Sequence, residues 1–432
     1  MSNNGHRGVD RRRFLGLSAA GAASLGLGFA PLGRSLAQGR ATSSLPPSIA
    51  ALQPVTGKAK PIGDDEYRAR LGKAQRLLGE HGMDAVFIAS GTTLKYFVDL
   101  QWWGSERTAG VLLTRSGDPI YITPAFERSR ALEQIRFGSE VRTWQEDESP
   151  YALIAQTLRD KGVATGTLGI EEKVPYFMAD GIAKAAPQLH LVNGTPVTAG
   201  CRSVKSEAEL ALLQIANDAT LACYHAVWQA LQPGMTQQDV QALVALAYGR
   251  LGVRGDVDIN VGKYTAQPHG SIEPQKIDEG TVVILDDGCQ VHGYTSDITR
   301  TFVLGKASDK MKRVFSIVQK AQIAARDAAR TGGKMGDIDK AARKVIADAG
   351  FGPGNQYFSH RLGHGIGMDM HEWYYAVGGS EQPIVPNMTM SDEPGIYIPG
   401  EFGVRLEDCM VTTDNGGRWF TAQSPSIELP FG

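Results

Sequence analysis

The chain has 432 residues, a formal net charge of −2 and 42% hydrophobic content, enough material for two or three domains. The two signs of charge nearly cancel and no basic stripe forms, which argues against nucleic acid or an anionic membrane surface as a partner. Four cysteines (Cys201, Cys223, Cys289 and Cys409) are too few and too scattered for a disulfide framework. Cys289 and Cys409 could pair in an oxidising compartment, but two buried free thiols are the expectation.

Residues 1–37 read as a leader. Asp10-Arg11-Arg12-Arg13-Phe14-Leu15 precedes a Gly/Ala-rich apolar run from Gly16 to Ala30, and Ser35-Leu36-Ala37 offers the small residues a signal peptidase needs. The paired arginines before Phe-Leu resemble a twin-arginine export signal, so a periplasmic location is expected. The apolar run is too short and glycine-rich for a stable membrane span. Residues 38–61, rich in Pro, Ser, Gly and Ala and without period, read as a linker.

An amphipathic helix is predicted from Asp64 to His81, with Leu71, Ala74, Leu77 and Leu78 on one face. Asp84 to Ala89 suits a buried strand. Val111 to Thr114 and Ile120 to Ile122 flank a Ser116-Gly117-Asp118-Pro119 turn, a hairpin pattern. Strands near Leu168 to Glu171 and Leu189 to Val192, with helices near Tyr151 to Lys161 and Ala179 to Ala186, complete an α/β domain over residues 62–200. Within it, Trp102 and Trp103 either close a cleft or pack in a core.

Ser206-Glu207-Ala208-Glu209 is a capping box opening a helix to about Leu231. Pro233-Gly234 stops it, and Thr236 with Asp239 starts a second to about Leu251. The pattern then returns: Ser308 caps a helix to about Arg330, and Asp337 opens another to Ala349. Met235/Met335, Asp239/Asp339, Ala242/Ala342 and Ala247/Ala347 coincide at one offset. Residues 201–432 therefore read as an internally duplicated domain, and the whole chain as α/β (α+β).

Five potential metal ligands, Asp286, Asp297, His364, Glu393 and Glu407, sit in apolar, glycine-punctuated segments of this second domain. The four carboxylates carry about four negative charges, which two divalent cations would neutralise. Thr281 to Leu285 is an aliphatic strand ending in Asp286-Asp287-Gly288, and Thr295 to Phe302 reads as its returning partner, so Asp286 and Asp297 can share a cavity. Asp287 competes with Asp286 for the ligand role. His360, His364 and His371, three of the nine histidines, fall in a glycine-rich segment that suits a metal ligand with two imidazoles left for substrate and proton transfer. Glu393 precedes a Pro394-Gly395 turn, and Gly403 to Leu406 is strand-like. Asp392 and Asp408 should face away, because side chains alternate along a strand. Arg405 shares the face of Glu407 and can orient a carboxylate.

These motifs resemble the metal-dependent proline peptidases of the pita-bread (M24) family, which includes aminopeptidase P and prolidase. Asp286-x-Gly288, Ser296-Asp297-Ile298-Thr299-Arg300-Thr301, Gly363-His364-Gly365-Ile366-Gly367, Glu393-Pro394-Gly395 and Arg405-Leu406-Glu407-Asp408 match in order and spacing over about residues 62–425. Creatinase shares the fold but lacks this ligand set.

The resemblance implies a creatinase/prolidase-type α/β domain followed by a pita-bread catalytic domain. It implies that Asp286 binds one ion, His364 and Glu393 the other, while Asp297 and Glu407 bridge them and a hydroxide is held between. Glu393 would also move the proton. His269 and His371 would act at the scissile bond, with His360 and Arg405 in the substrate pocket. The implied activity is hydrolysis of an N-terminal Xaa-Pro bond of peptides, with the Xaa-Pro dipeptidase and a non-peptide hydrolase or lyase as alternatives. Oxygen-rich ligation points to manganese before cobalt or zinc. A homodimer or higher homo-oligomer is expected. Trp373, Tyr374 and Tyr375 either line a proline pocket or simply pack.

Overall fold

The strand Ala85–Ala89 shows how sequence alternation builds two cores at once. All its residues are buried; Ala85, Phe87 and Ala89 enter one hydrophobic cluster, Val86 and Ile88 another, as a period of two requires. The structure is a computed structural model that describes residues 45–102 and 104–432. The expected leader, the first part of the linker and Trp103 lie outside the described residues. Pro46–Gly432 form one compact unit.

Ala85–Ala89 lies inside a six-stranded sheet with the spatial order Val141–Trp144, Ile120–Pro124, Gly110–Thr114, Ala85–Ala89, Gly166–Ile170, Leu189–Asn193. The expected hairpin pairs antiparallel, as does its contact with the central strand; the other pairs are parallel. Helices Pro150–Asp160 and Tyr176–Ala185 cover one face through Ile154, Leu158 and Ile182. Helices Asp64–Glu80 and Thr92–Val98 cover the other, and that core runs on into Leu213, Tyr224 and Val244 of the following domain.

The second domain opens with helices Glu207–Ala230 and Gln237–Leu251, each started by a capping box, Ser206 with Glu209 and Thr236 with Asp239. In its second half Ser308 caps Asp309–Ala328. At the start of Met335–Asp348 the Asp337 carboxylate accepts the Lys334 N–H. The counterpart of Asp239 is thus Asp337. Asp339 is instead buried within its helix and accepts the Leu362 N–H at 3.1 Å, so the Asp239/Asp339 identity is a coincidence of spacing.

The duplication holds at the level of strands. In the first half Val282–Asp286 lies between Asp258–Val261 and Arg300–Val303, with the hairpin Cys289–Val291/Tyr294–Thr295 inserted between the second and third strands. In the second half Thr389–Asp392 lies between Gly363–Gly365 and Asp408–Thr413. The hairpin Gly395–Ile398/Phe402–Arg405 is inserted at the same point. Glu372–Ala376 and Gly416–Trp419 widen this second sheet to five strands.

The described part of the expected linker is docked on the second domain. Pro47–Ala50 is a short helix whose Ile49 is fully buried. Ser48 donates to the Ala226 carbonyl (2.7 Å), the Val55 N–H to Leu251 (2.9 Å) and Arg250 to Ala50 (3.1 Å). All four cysteines are free and buried. Among the described residues no helix is long and apolar enough to cross a membrane.

Candidate metal centre

The duplicated strand order sets four carboxylates at equivalent places. Asp286 ends the central strand of the first half, and Glu393 directly follows that of the second. Asp297 and Glu407 each follow their half's inserted hairpin and precede its last strand. The expected unbroken returning strand over 295–302 is instead interrupted, and Asp297 lies in the irregular stretch between Tyr294–Thr295 and Arg300–Val303. Cys409 pins that stretch, its thiol 3.1 Å from the Asp297 carbonyl. His364 sits on Gly363–Gly365, where its N–H donates to Ser391 Oγ (3.0 Å).

Ligand atoms of Asp286, Asp297 and Glu407 lie within 4.8 Å of one another, as do those of His364, Glu393 and Glu407, and those of Asp297, His364 and His371. Asp297, His364 and Glu407 therefore each belong to two sets. They and Asp286, His360, Glu393, His269, His371 and Arg405 line one cavity of about 510 Å³. Asp392 and Asp408 point elsewhere: Asp392 accepts from Trp419 Nε1 (3.0 Å), and Asp408 pairs with buried Arg300 (2.7 Å). Asp287 has φ 119° and its Oδ1 accepts the next N–H at 2.6 Å, which turns it away from the ligand sets.

The centre is short of positive charge. Burial would raise Asp286, but Arg405 and the Thr299 hydroxyl hold it low. Burial and neighbouring carboxylates push Asp297 and Glu407 well up. Burial, reinforced by Asp286 against the pull of Arg405, lifts Glu393 to about 8. Glu407 Oε1 is buried with no hydrogen-bond partner among the described residues. His364 Nδ1 faces the Gly365 carbonyl (3.1 Å), so it carries the proton. That leaves the Nε2 lone pair directed at Glu393 Oε1 (3.4 Å) and Asp297 Oδ2 (3.6 Å). A lone pair facing carboxylates is repulsive unless a cation lies between them. Burial, with His371 adding, holds the imidazole neutral by lowering its pKa to about 3. These residues fit divalent metal.

Two residues expected in the substrate pocket, Arg405 and His360, are held by protein partners. Arg405 is 3% exposed and engaged through all three of its nitrogens: Nη2 with Asp286, Nε with Thr299 Oγ1 (3.0 Å), and Nη1 with the Pro268 carbonyl (2.8 Å) and Tyr397 (3.1 Å). It positions Asp286, and four of its five N–H donors go to protein partners. His360 lies at the cavity, but Nδ1 is satisfied by the Arg361 carbonyl (2.8 Å) and Nε2 accepts from Tyr397 (2.7 Å). His269 is exposed at the rim. Trp373, Tyr374 and Tyr375 do not line the cavity: Trp373 donates to Glu172 (3.1 Å), Tyr374 packs on the second-half core, and Tyr375 lies under Arg361. Its apolar walls are Pro268 and Met370. Sequence reasoning passed over these two along with Asp258, Thr299, Arg361, Ser391 and Tyr397. Thr299 and Ser391 carried a signal, each being two residues from a proposed ligand, Asp297 and Glu393.

The model of metallopeptidase family M24 matches residues 211–414, and that of the creatinase/prolidase N-terminal domain matches 70–204. An Xaa-Pro dipeptidase of Lactobacillus delbrueckii subsp. lactis is 31% identical over 83% of this chain and 98% of its own. The chain belongs to metallopeptidase family M24. The crystal structure of dipeptidase PepE from Mycobacterium ulcerans aligns with TM-score 0.79 and 33% identity, over 86% of this chain and all of that one. An X-Pro aminopeptidase from Thermotoga maritima aligns with TM-score 0.69 and 28% identity, over 82% and 99%. The fold is thus a creatinase/prolidase-type domain joined to a pita-bread domain, and M24 membership makes the chain a metallopeptidase.

Proposed function

We propose that this M24 enzyme is an Xaa-Pro dipeptidase. The observation that carries the reading is the complete ligand set on a cavity whose chain-long relatives include an Xaa-Pro dipeptidase and dipeptidase PepE. The N-terminal aminopeptidase activity favoured by the motifs alone ranks second; the Thermotoga aminopeptidase supports it at lower similarity.

Asp286, Asp297, His364, Glu393 and Glu407 would hold two divalent ions, manganese before cobalt or zinc. Such a pair lowers the pKa of water and polarises the scissile carbonyl. The protein's own part is geometric and protonic. Arg405 fixes the orientation of Asp286, and Ser391 Oγ donates to Glu393 Oε1 (3.1 Å) while receiving the His364 N–H. Glu393, which Ser391 Oγ orients toward the ligand sets, is suited by its position to take a proton from water and return it to the leaving amine. Arginine can only donate, so the contact of Arg361 Nη2 with His371 Nδ1 (3.2 Å) makes Nδ1 the acceptor and places the proton on Nε2. Burial and Arg361 lower the His371 pKa, so it stays neutral with that N–H free to stabilise developing oxyanion charge. We further propose that the twin-arginine leader carries the enzyme to the periplasm.

The test is a peptide panel on purified protein with elemental analysis. We expect chelation to abolish, and manganese to restore, cleavage of Xaa-Pro with little action on Xaa-Pro-Xaa. Preferred cleavage of the tripeptides would return the aminopeptidase reading to first place.

A further inference from the structure

Asp297 lies outside the strands on either side of it and is only 5% exposed, so its backbone N–H and carbonyl need protein partners. One side chain supplies both. The Asp297 N–H donates to Cys409 Sγ (3.4 Å), and the Cys409 thiol donates to the Asp297 carbonyl (3.1 Å). Among the described residues nothing else bonds either atom. The neighbours in the segment are tied elsewhere, the Ser296 N–H to the Cys289 carbonyl (3.0 Å) and the Ile298 N–H to the Asp287 carbonyl (3.1 Å). Cys409 is itself fully buried, which keeps solvent from taking the place of the thiol. A thiol is a weak donor and a weak acceptor, and here it serves as both on a single residue.

The duplication gives this contact a counterpart. Cys409 stands two residues after Glu407, and Thr299 stands two residues after Asp297. The Thr299 carbonyl accepts the Glu407 N–H (3.2 Å), and its hydroxyl lies 2.7 Å from Glu407 Oε2. Each of the two carboxylates that would bridge the ions is thus held by the residue two positions after the other. The two segments lead into strands of separate sheets, so no ladder between those strands fixes their spacing. Arg300 and Thr301 add to the hold on the second half, through the Glu407 carbonyl (2.9 Å) and the Arg405 carbonyl (2.6 Å). For the backbone of Asp297, Cys409 is the one tie between the halves among the described residues.

We propose that Cys409 is a positioning residue for the metal centre: with Thr299 it forms a reciprocal clasp that sets the spacing of Asp297 and Glu407. The proposal rests on the reading that the five ligands hold two ions. Opening either arm lets the two bridging carboxylates drift relative to one another.

The experiment compares wild type, Cys409→Ala, Cys409→Ser and Cys289→Ala in the full-length protein. Manganese affinity is read by competition with a calibrated chelator, and stability by melting of the metal-stripped protein. Cys289 is the matched control: it is equally buried, and its thiol donates to the Ala216 carbonyl (3.3 Å) and touches no ligand. Cys409→Ala should weaken manganese binding by about 10–100-fold. Cys409→Ser, which keeps one donor and an acceptor, should recover most of that loss. Cys289→Ala should lower the melting temperature about as much as Cys409→Ala and leave manganese affinity unchanged. In a double-mutant cycle, Thr299→Val with Cys409→Ala should lose several-fold less affinity than the product of the two single losses, because either change already opens the clasp. Wild-type affinity in Cys409→Ala, a serine variant no better than alanine, or fully multiplicative losses in the cycle overturn the clasp and leave the two-ion reading standing. If Cys409→Ala does not fold, the cycle is run with Cys409→Ser and judged by the same rule. A wild type that binds fewer than two manganese ions overturns both.

Discussion

Thr299 Oγ1 lies 2.5 Å from Asp286 Oδ1, 2.7 Å from Glu407 Oε2 and 3.0 Å from Arg405 Nε. A hydroxyl has one proton, so with Arg405 donating to it, Thr299 can satisfy only one of the two carboxylates at a time. The other needs a cation, and the hydroxyl orients both toward it. Thr299→Val should therefore weaken metal binding by about 10–100-fold, and Thr299→Ser should keep it, as read by competition with a calibrated chelator. Equal affinities in the two variants would show that the hydroxyl does not support the ligands. At this scale much was legible in the sequence. Strand alternation alone assigns Asp392 and Asp408 to the opposite face from Glu393 and Glu407, and the structure places them so. Arg361 was not legible, because only the folded loop brings its guanidinium to His371 Nδ1.

The segment that carries His371 is anchored at the junction of the two domains. Glu372 accepts from Arg202, from Lys205 (2.9 Å) and from the N–H groups of Met368 (2.8 Å) and Asp369 (3.1 Å). Burial would raise its pKa, but the two cations prevail and hold it near 2. Asp369 is tied in turn to Thr92 (2.7 Å), Lys173 (2.5 Å) and Arg202 (2.8 Å). A Cβ on Gly367 would approach the Glu372 carboxylate at 2.7 Å, so only glycine lets this loop close over it. Arg202→Met leaves a buried carboxylate underpaired and should cost about 3–5 kcal/mol, with a matching fall in Tm; a change under about 1 kcal/mol would mean the pairing is dispensable. The helix Thr92–Val98, which brings Thr92 to this junction, was hidden in the sequence for a physical reason. Most of its residues are buried, so no polar face marks a period.

Across the whole molecule, the domain junction and the docked segment 46–55, an N-terminal strap on the second domain, both bear on stability. Glu171 is 4% exposed and bonded to Thr93 (2.9 Å); burial, with Glu172 adding, raises its pKa from 4.5 to about 7. Folding therefore takes up a proton between those values, and the stability linked to this group is lost as pH rises through about 7. Glu171→Gln stays neutral: it should melt above wild type at pH 8, with the gap closing toward pH 5. A gap of the same size at both pH values would refute the linkage. Ile49→Ala should cost about 2–5 kcal/mol in denaturant unfolding of the whole protein. A loss below that range would show that the strap lies on the second domain without stabilising it. Its proline- and glycine-rich composition hid this docking, since the helices that bury Ile49 lie far along the chain.

The duplicated halves are alike in their strands and unlike in what they bring to the centre. The first contributes Asp286 and Asp297, oxygen donors only, and the second adds an imidazole to its two glutamates. One ion would rest among hard oxygens and the other beside a nitrogen that softer metals prefer. A fold built by repetition has thus set an all-oxygen donor group beside one that includes an imidazole nitrogen, so two ions held there would not be held alike.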